Sequence, residues 1–189
     1  MPRLWERSID AHREAVREAA LDAVASLVAG PGLTAVTMSR VAQDAGIGRA
    51  TLYKYFSDVD AVLTAWHERQ VRSHLELVTQ ARDEPGAPVE RLHRVLRAYA
   101  TATVGHDGQG LAVLLHQGEH VVRARQHLRG LLAELIADGA AAGGIRADVA
   151  PTELSLYCLH ALTAAGAVDD EEAVKRLVDV TMSGLRPPA

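Results

Sequence analysis

Residues 37–56, TMSRVAQDAGIGRATLYKYF, constrain the fold of this chain more than any other segment. Thr37 is a favourable N-cap for a short helix that ends near Asp44. Ala45-Gly46-Ile47 then predicts a tight turn, because glycine adopts the positive φ that a sharp change of direction requires. A second short helix is predicted over residues 49–55. The spacing therefore predicts two short helices joined by a three-residue turn, which is the helix-turn-helix arrangement.

A longer amphipathic helix, predicted over residues 10–29, supplies the surface on which this pair packs. Its apolar side chains recur at helical spacing on one face: Val16, Ala20, Ala23, Val24, Leu27 and Val28. Val41, Ile47 and Leu52 are the matching apolar positions of the two short helices. Gly30-Pro31-Gly32 ends the long helix. Together the three helices form one predicted N-terminal domain.

The rest of the chain alternates between helical periodicity and breaks rich in glycine or proline. Helices are predicted over residues 57–82, 89–104, 109–118, 121–142 and 151–165, followed by a last helix that Asp169 or Asp170 caps. Ser57 or Asp58 is the expected cap of the first of these. Aromatic residues make up only 4% of the chain, and no segment predicts a strand. We therefore expect an all-α fold of about nine helices.

The composition excludes several classes of protein. With 48% hydrophobic and 23% charged residues, the chain of 189 residues is suited to a globular fold rather than to disorder. Cys158 is the single cysteine, so an intrachain disulfide is excluded. The first residues, MPRLWERSID, lack the apolar core of a signal peptide, and no apolar run is long enough to cross a membrane. We expect a cytoplasmic protein without a membrane partner.

The second short helix carries side chains suited to a DNA groove. Small Gly48 and Ala50 allow close approach of the backbone, while Arg49 can present two donors to a guanine edge. Thr51 can contact a base or a phosphate. Three further side chains suit phosphate contact: Tyr53, Lys54 and Tyr55. The alternative is a helical hairpin inside an all-α core, in which one of the tyrosines is a packing residue.

The motif T-x-x-x-V-A-x-x-A-G-I-x-x-x-T-L-Y-x-Y-F, followed by S-D-V-D-A-V-L, resembles that of the TetR family of transcriptional regulators. The resemblance covers about residues 12–71, and T-L-Y-x-Y-F is its most diagnostic part. It implies a homodimeric repressor that binds a pseudo-palindromic double-stranded DNA operator and is released from it by a small molecule. It also implies a DNA-binding domain over residues 1–57 and a helical ligand-binding and dimerisation domain over residues 58–189.

Site residues follow from the same resemblance, position by position. Thr37 and Ser39 begin the helix that approaches the DNA backbone, and Arg40 lies beside them. Arg49, Ala50 and Thr51 occupy positions of base contacts, after Gly48, and the phosphate contacts are Tyr53, Lys54 and Tyr55. Relatives often carry a lysine three residues after the final Phe of the motif, whereas this chain has Val59 there, between Asp58 and Asp60. We therefore expect one phosphate contact to be missing, and Arg3, Arg7 and Arg13 to supply compensating charge.

The net charge of −4 does not exclude DNA, because the acidic groups are unevenly distributed. Residues 1–57 contain seven basic and six acidic side chains, whereas residues 58–189 contain thirteen and eighteen. Within the helix-turn-helix, Arg40, Arg49 and Lys54 outnumber the lone acid Asp44. The acidity therefore belongs to the C-terminal part, and DNA specificity is expected to rest on a few placed side chains.

Bulky side chains with a polar end are the candidates for a small-molecule pocket, since such pockets are mostly apolar with a few polar groups. They are Trp66, His67, Tyr99, His116, Tyr157 and His160, and ordinary core packing is the alternative for each. Residues 151–166 are apolar on nearly all sides, which favours burial of both faces of that helix. We expect a partner subunit to cover one face, with an interface formed by Leu154, Leu162, Ala165, Val174, Leu177 and Val178. The alternative is a helix internal to the core.

His116-Gln117-Gly118-Glu119-His120 matches the H-x-x-E-H pattern of some zinc peptidases. Gly118 lies at a predicted break between helices, and no third ligand is nearby, so pocket-lining or solvated histidines are preferred. The sequence contains no phosphate-binding loop and no G-x-S-x-G motif. We therefore expect neither an enzyme nor a cofactor. Two alternatives stay open: a metal-responsive regulator that uses His116 and His120, and a helical dimer that binds a small molecule without specific DNA binding.

Overall fold

The computed structural model describes the backbone of residues 3–104, 118–168 and 170–188, and the side chains of these residues from residue 10 onward. Over these ranges the fold is entirely helical, which confirms the predicted class. The α-helices are α1 Arg3–Ala29, α2 Met38–Asp44, α3 Arg49–Leu52, α4 Val59–Asp83, α5 Pro88–Thr103, α6 Glu119–Ala141, α7 Pro151–Leu162 and α8 Glu171–Gly184. Two 3-10 turns cover Leu33–Ala35 and Thr163–Ala167. The helix predicted over residues 109–118 lies outside the described residues, except for Gly118.

The chain divides into two compact units, Met1–Gln70 and Val71–Ala189. The division falls within α4, later than the expected domain boundary between residues 57 and 58. The first turns of α4 belong to the N-terminal unit, since Val62, Leu63 and Ala65 are buried there. A cap marks where a helix begins, and it does not show which core buries the first turns of that helix.

The N-terminal unit is built on α1, against which α2 packs. The apolar face predicted for α1 is buried except for half-buried Val28, and its Ala20 and Val24 are fully enclosed. Leu21, which the pattern did not include, is also fully enclosed. Val41 and Leu52, one from each short helix, are also fully enclosed. The predicted division between these apolar positions and the polar ones around them is therefore confirmed.

The C-terminal unit surrounds a second apolar core. In this unit α6 packs against α5 and α7, and α8 packs against α5 and α7. The core is formed mainly by leucine, isoleucine and valine side chains, including Leu92, Leu96, Leu132, Ile136 and Leu162. Asp170 caps α8 by accepting a hydrogen bond from the Glu172 N–H, at 3.1 Å, as one of the two predicted caps.

The six residues expected at a dimer interface face this core instead of solvent. Leu177 is half-buried, and the others are buried: Leu154, Leu162, Ala165, Val174 and Val178. The exposed apolar side chains of the same two helices are Leu156, Tyr157 and Val180, of which Val180 is 66% exposed. The predicted interface stays a prediction, although within the single chain these residues already pack in the core. A helix with apolar residues all round has no polar stripe to mark its outer side.

Candidate nucleic-acid interface

The helix-turn-helix presents most of the predicted DNA-contacting residues to solvent. The exposed ones are Thr37, Ser39, Arg40, Gly48, Arg49, Ala50, Tyr53 and Lys54, while Thr51 and Tyr55 are half-buried. Leu52 and Phe56, which alternate with these positions, are buried. The helix-turn-helix therefore presents a polar and basic surface to solvent, and the apolar side chains beneath it are buried. Such a surface can approach a phosphate backbone and a base edge together.

Local hydrogen bonds account for the shape of this surface. The Thr37 side chain accepts a hydrogen bond from the Arg40 N–H, at 3.3 Å, which caps α2 as predicted. Gly46 has φ of +67°, and the Ile47 N–H donates to the Ala42 carbonyl at 3.0 Å. This arrangement closes α2 with a left-handed residue that only glycine adopts at little cost.

The recognition helix α3 is shorter than the prediction of residues 49–55. It ends at Leu52, because the N–H groups of Lys54 and Tyr55 donate to carbonyls three residues back, those of Thr51 and Leu52. This tighter turn places Tyr53 and Lys54 after the helix rather than on it. Tyr53 is 48% exposed and Tyr55 is half-buried, so Tyr55 is the tyrosine that also serves packing.

Asp58, which precedes the Val59 that stands where relatives often carry a lysine, has a structural role. The Asp58 carboxylate accepts hydrogen bonds from the Ala61 N–H, at 2.8 Å, and from the Ser57 hydroxyl, at 2.9 Å. These bonds lower the pKa of Asp58 below its usual value, and the bond from the Ala61 N–H has the larger effect. Asp58 is therefore the N-cap of α4, and Val59 behind it is half-buried. Neither residue supplies the positive charge that a lysine would.

Two cationic contacts hold the supporting helices of the N-terminal unit together. Arg69 on α4 donates to Glu18 at 2.7 Å and to Asp22 at 2.8 Å, both on α1. The guanidinium of Arg17 lies 5.9 Å from the centre of the Phe56 ring, at the end of the motif. Sequence reasoning missed the Arg69 contacts, since nothing in a local pattern pairs residues so far apart in the chain.

The residues predicted to line a pocket are divided between the two units. His67 is buried and Trp66 half-buried in the N-terminal unit, whereas Tyr99 is half-buried against the core of the C-terminal unit. Burial raises the pKa of Tyr99, and nearby Arg125 partly opposes this. Tyr157 and His160 are exposed on α7, and their place in a pocket stays a prediction. His116 lies outside the described residues.

A surface cleft of about 710 Å³ in the C-terminal unit involves none of these predicted residues. Its apolar floor includes Val89, Ile145 and Met182, from α5, the connection after α6, and α8. His93 and Asp179 form a contact of 3.2 Å at its wall. The Nη2 of Arg94 in its lining donates to the Glu84 and Pro85 carbonyls, at 2.8 and 3.2 Å, whereas the buried Nε of Arg94 has no hydrogen-bond partner among the described residues. The cleft is therefore a groove lined by apolar and charged side chains, the charged ones including Glu90, Asp179 and Arg186.

In the described part of the chain, two other potentially reactive side chains are buried or ion-paired: Cys158 and Glu119. Burial raises the pKa of Cys158 to about 12, so this core thiol stays protonated. Glu119 lies 3.0 Å from Arg123, one turn along α6. Among the described residues no three His, Cys, Asp or Glu side chains are grouped so that they could hold a metal ion. The metal hypothesis that includes His116 stays a prediction.

No helix in the described ranges of the chain is long and apolar enough to span a membrane.

Two sequence families match the chain. Residues 20–65 match the family described as bacterial regulatory proteins, tetR family, and residues 84–187 match the family described as transcriptional regulator SbtR-like, C-terminal domain. The second match covers more than half of the chain. A search of curated proteins gave no match.

Solved structures share the fold along nearly the whole chain. A TetR/AcrR regulator from Thermobifida fusca has a TM-score of 0.72 at 21% identity, covering 90% of this chain and 98% of its own. The TetR regulator SCO0520 from Streptomyces coelicolor has a TM-score of 0.63 at 29% identity, covering 92% and 99%. AibR, crystallised with isovaleryl coenzyme A and operator DNA, has a TM-score of 0.65 at 20% identity, covering 92% and 100%.

Proposed function

Because the chain belongs to the TetR family of bacterial regulatory proteins, we propose that it acts as a homodimeric repressor that a small molecule releases from its operator. The observation that carries this proposal is the exposed basic surface of residues 37–56. In it, Arg49 at the start of α3 and Lys54 directly after α3 are exposed above buried Leu52 and Phe56. A DNA-binding transcriptional regulator requires such a surface, and a hairpin buried in a core would not have one.

Each side chain of this surface has a proposed role in the DNA complex. The N-terminus of α3 enters the major groove, where Gly48 and Ala50 allow close approach and Arg49 donates to a base edge. Lys54, Tyr53 and Tyr55 contact phosphates on one side of the groove, and Thr37, Ser39 and Arg40 contact the backbone from α2. A homodimer would place two copies of α3 in successive grooves of a pseudo-palindrome.

Homodimer formation is supported by the exposed apolar side chains of α7 and α8. Leu156, Tyr157 and Val180 lie on the outer surface of helices whose inner faces are already packed in the core. Adjacent exposed apolar residues on two packed helices are typical of a surface that a partner covers. We infer that these residues, rather than the buried ones of the same helices, contact the second subunit.

Response to an effector is supported by a half-buried polar group in each unit, taken separately. The Trp66 indole N–H is buried and has no hydrogen-bond partner among the described residues, which leaves a donor for a ligand acceptor. Tyr99 offers a phenol beside an apolar core. AibR was crystallised with an acyl coenzyme A and operator DNA, so an amphipathic effector is a reasonable first expectation for this chain. Because α4 is one continuous helix, a ligand that moves it would change the presentation of α3.

Operator selection with the purified protein, followed by salt titration of binding, tests this function. Lys54 and Lys175 are the only lysines of the sequence, and both are exposed, so Lys175→Ala is a matched control for Lys54→Ala. Lys54→Ala should weaken operator binding and reduce the salt slope by about 0.9 for each phosphate that is no longer neutralised. Arg49→Ala should also relax sequence preference. Lys175→Ala should change neither quantity.

The DNA-binding part and the effector part of the proposal are tested by separate results. If the wild-type protein selects no sequence and binds duplex DNA without salt dependence, the chain is a helical dimer without specific DNA binding. The effector part is tested with isovaleryl coenzyme A as the first probe, by calorimetry and operator binding. A probe that binds tightly but leaves operator affinity unchanged would exclude release by that ligand, because equal affinity for both states shifts no equilibrium.

A further inference from the structure

The start of α4 carries acidic charge close to the row of proposed phosphate contacts. Asp58 caps this helix and Asp60 lies in its first turn, which contains no basic residue in the sequence. Tyr55, which precedes Asp58 by three positions, contacts a phosphate in the proposed DNA complex. Carboxylates at this end of the surface repel a phosphate backbone, and a cation held nearby would offset that repulsion.

Arg17 on α1 brings a positive charge to the chain segment that leads from α3 into α4. Its guanidinium carbon lies 5.9 Å from the centre of the Phe56 ring, which is within the range of cation–π attraction. Phe56 is buried, and its N–H donates to the Leu52 carbonyl at 3.0 Å, so the ring is fixed at the end of the helix-turn-helix. Phe56 is two positions before Asp58, so the charge of Arg17 is held at the segment that leads into the acidic start of α4.

The N–H groups of Arg17 are not used by the contacts that hold its side chain. Its distance to a carboxylate oxygen of Glu18 is 4.0 Å, which is too long for a hydrogen bond, and the other oxygen of Glu18 accepts from Arg69 at 2.7 Å. Among the side chains that the structure describes, the Arg17 guanidinium has no hydrogen-bond acceptor. A cation–π contact requires no acceptor, so the donors stay available to an anion. The side chain is 34% exposed, so an anion can reach it.

Two other arginines of the N-terminal unit lie outside residues 37–56 and have described side chains. Arg69 donates to Glu18 and to Asp22, so its charge is already neutralised. Arg13 is 68% exposed and lies 3.9 Å from Asp10. A half-buried side chain that is held against a ring loses less conformational freedom on binding than one that extends into solvent. Arg17 is therefore the best placed of the three to bind a phosphate.

We propose that Arg17 is a further phosphate contact of the DNA-binding surface, held in place by the Phe56 ring, and that its charge offsets the acidic start of α4. The proposal rests on the proposed operator binding by residues 37–56. The ligand is one phosphate of the DNA backbone, because a guanidinium presents paired donors that match two phosphate oxygens. Arg17 therefore adds affinity and fixes the orientation of the DNA-binding unit, without adding sequence preference.

The test measures binding of the selected operator as a function of salt. Arg17→Met removes the charge and keeps an unbranched side chain against the ring, so the salt slope should fall by about 0.9 per chain, the value for one phosphate, while the Tm stays close to that of wild type. Arg17→Lys keeps the charge and should retain the slope, with weaker binding because lysine lacks the planar fork. Arg72→Ala is the control, since it removes the same charge from an exposed arginine of α4 that has no proposed role, and it should leave the slope unchanged.

A purely structural role of Arg17 would give a different result. If Arg17 only supports Phe56, then Arg17→Met should lower the Tm and weaken binding by the same factor at every salt concentration, and an unchanged slope of this kind would overturn the proposal. A fall in slope for Arg13→Ala but not for Arg17→Met would also overturn it. In that case the compensating charge would belong to Arg13, as the sequence predicts.

Lys54→Ala separates failure of this contact from failure of the proposed function. If Lys54→Ala lowers the salt slope and Arg17→Met does not, operator binding by residues 37–56 stands and only the Arg17 contact is overturned. If the wild-type protein selects no operator at all, both proposals are overturned. A lower slope for Lys54→Ala and for Arg17→Met, with wild-type slopes for Arg17→Lys and Arg72→Ala, is the result that supports the contact.

Discussion

A Cβ added to Gly184 of α8 would lie 2.7 Å from the hydroxyl oxygen of Tyr157 on α7. The phenol therefore lies across the end of α8, and the absence of a side chain at Gly184 makes room for it. Tyr157 is nevertheless 43% exposed, because it lies on the outer side of both helices. This tyrosine, which was a pocket candidate from its residue type, is thus part of the outer surface of α7 and α8.

The same surface leads to a prediction about assembly. Val180→Asp and Leu156→Asp should each shift the protein from dimer to monomer, since a charge there would be desolvated by the partner. Leu77→Asp on α4, where Leu77 is 51% exposed, is the control and should not change the mass. Sedimentation equilibrium or light scattering measures the difference. Dimers that persist in both α7–α8 variants at low micromolar concentration would place the interface elsewhere.

Truncation of a buried residue on the same helix should have a different effect. Leu162 is fully buried in the core, so Leu162→Ala should lower the free energy of unfolding by about 2–5 kcal/mol through loss of packing. Urea unfolding at several protein concentrations separates the two roles. A loss of stability that is present only at high concentration, where dimers form, would show that Leu162 acts through the interface.

The turn of the helix-turn-helix offers a matched pair of glycines. Gly46 has φ of +67° and open space where a Cβ would lie, so Gly46→Ala should cost about 1–2 kcal/mol from backbone conformation alone. Gly48 has φ of −67°, and an added Cβ would meet the Thr51 hydroxyl at an ordinary 3.7 Å. Gly48→Ala should therefore leave stability nearly unchanged and weaken DNA binding by preventing close approach. Thermal unfolding and operator binding measure the two effects, and equal stability of the two variants would contradict the role of the left-handed turn.

The cap of α4 predicts a dependence of stability on pH. The pKa of Asp58 is lowered below its usual value of 3.8, so its contribution is present above the unfolded pKa and is lost as pH falls through the folded pKa. Asp58→Ala, which removes the accepting oxygens, should therefore be less stable than wild type at neutral pH, with the difference shrinking in acid when urea unfolding is followed against pH. Asp60→Asn removes an acidic charge from the first turn without removing the cap. If both variants show the same pH profile, the effect belongs to helix-end charge rather than to the hydrogen bonds.

The contacts of Arg69 with Glu18 and Asp22 predict a salt-sensitive contribution to the N-terminal unit. Arg69→Ala should lower the free energy of unfolding by about 1 kcal/mol, a modest value because both carboxylates are exposed. Arg72→Ala, one turn further along α4, is the control. Urea unfolding at low and high salt measures the effect, which should shrink as salt screens the charges. A loss that is unchanged by salt would indicate packing of the arginine stem instead.

Local chemistry explains why the helices and turns could be predicted from the sequence. The Thr37 cap, the left-handed Gly46 and the cap at Asp58 each depend on residues within four positions, so a pattern of residue types determines them. Helical periodicity likewise identified the long helices and the buried face of α1. The family motif at residues 37–56 joined these local features into one DNA-binding arrangement, and the exposed basic surface agrees with that interpretation.

Which residues share a surface depended instead on packing between distant segments. The partners of Arg69 are 51 and 47 positions away, and the buried face of α7 depends on which neighbouring helices pack against it. An apolar helix without a polar stripe allows either orientation, so the pattern did not show that Leu162 is buried in the core and Leu156 is exposed. The helices and their turns could be predicted from the sequence alone, because they depend on short-range hydrogen bonds and backbone angles. The outer surface could not be predicted in this way, because the burial of a side chain depends on the volume that other helices leave free.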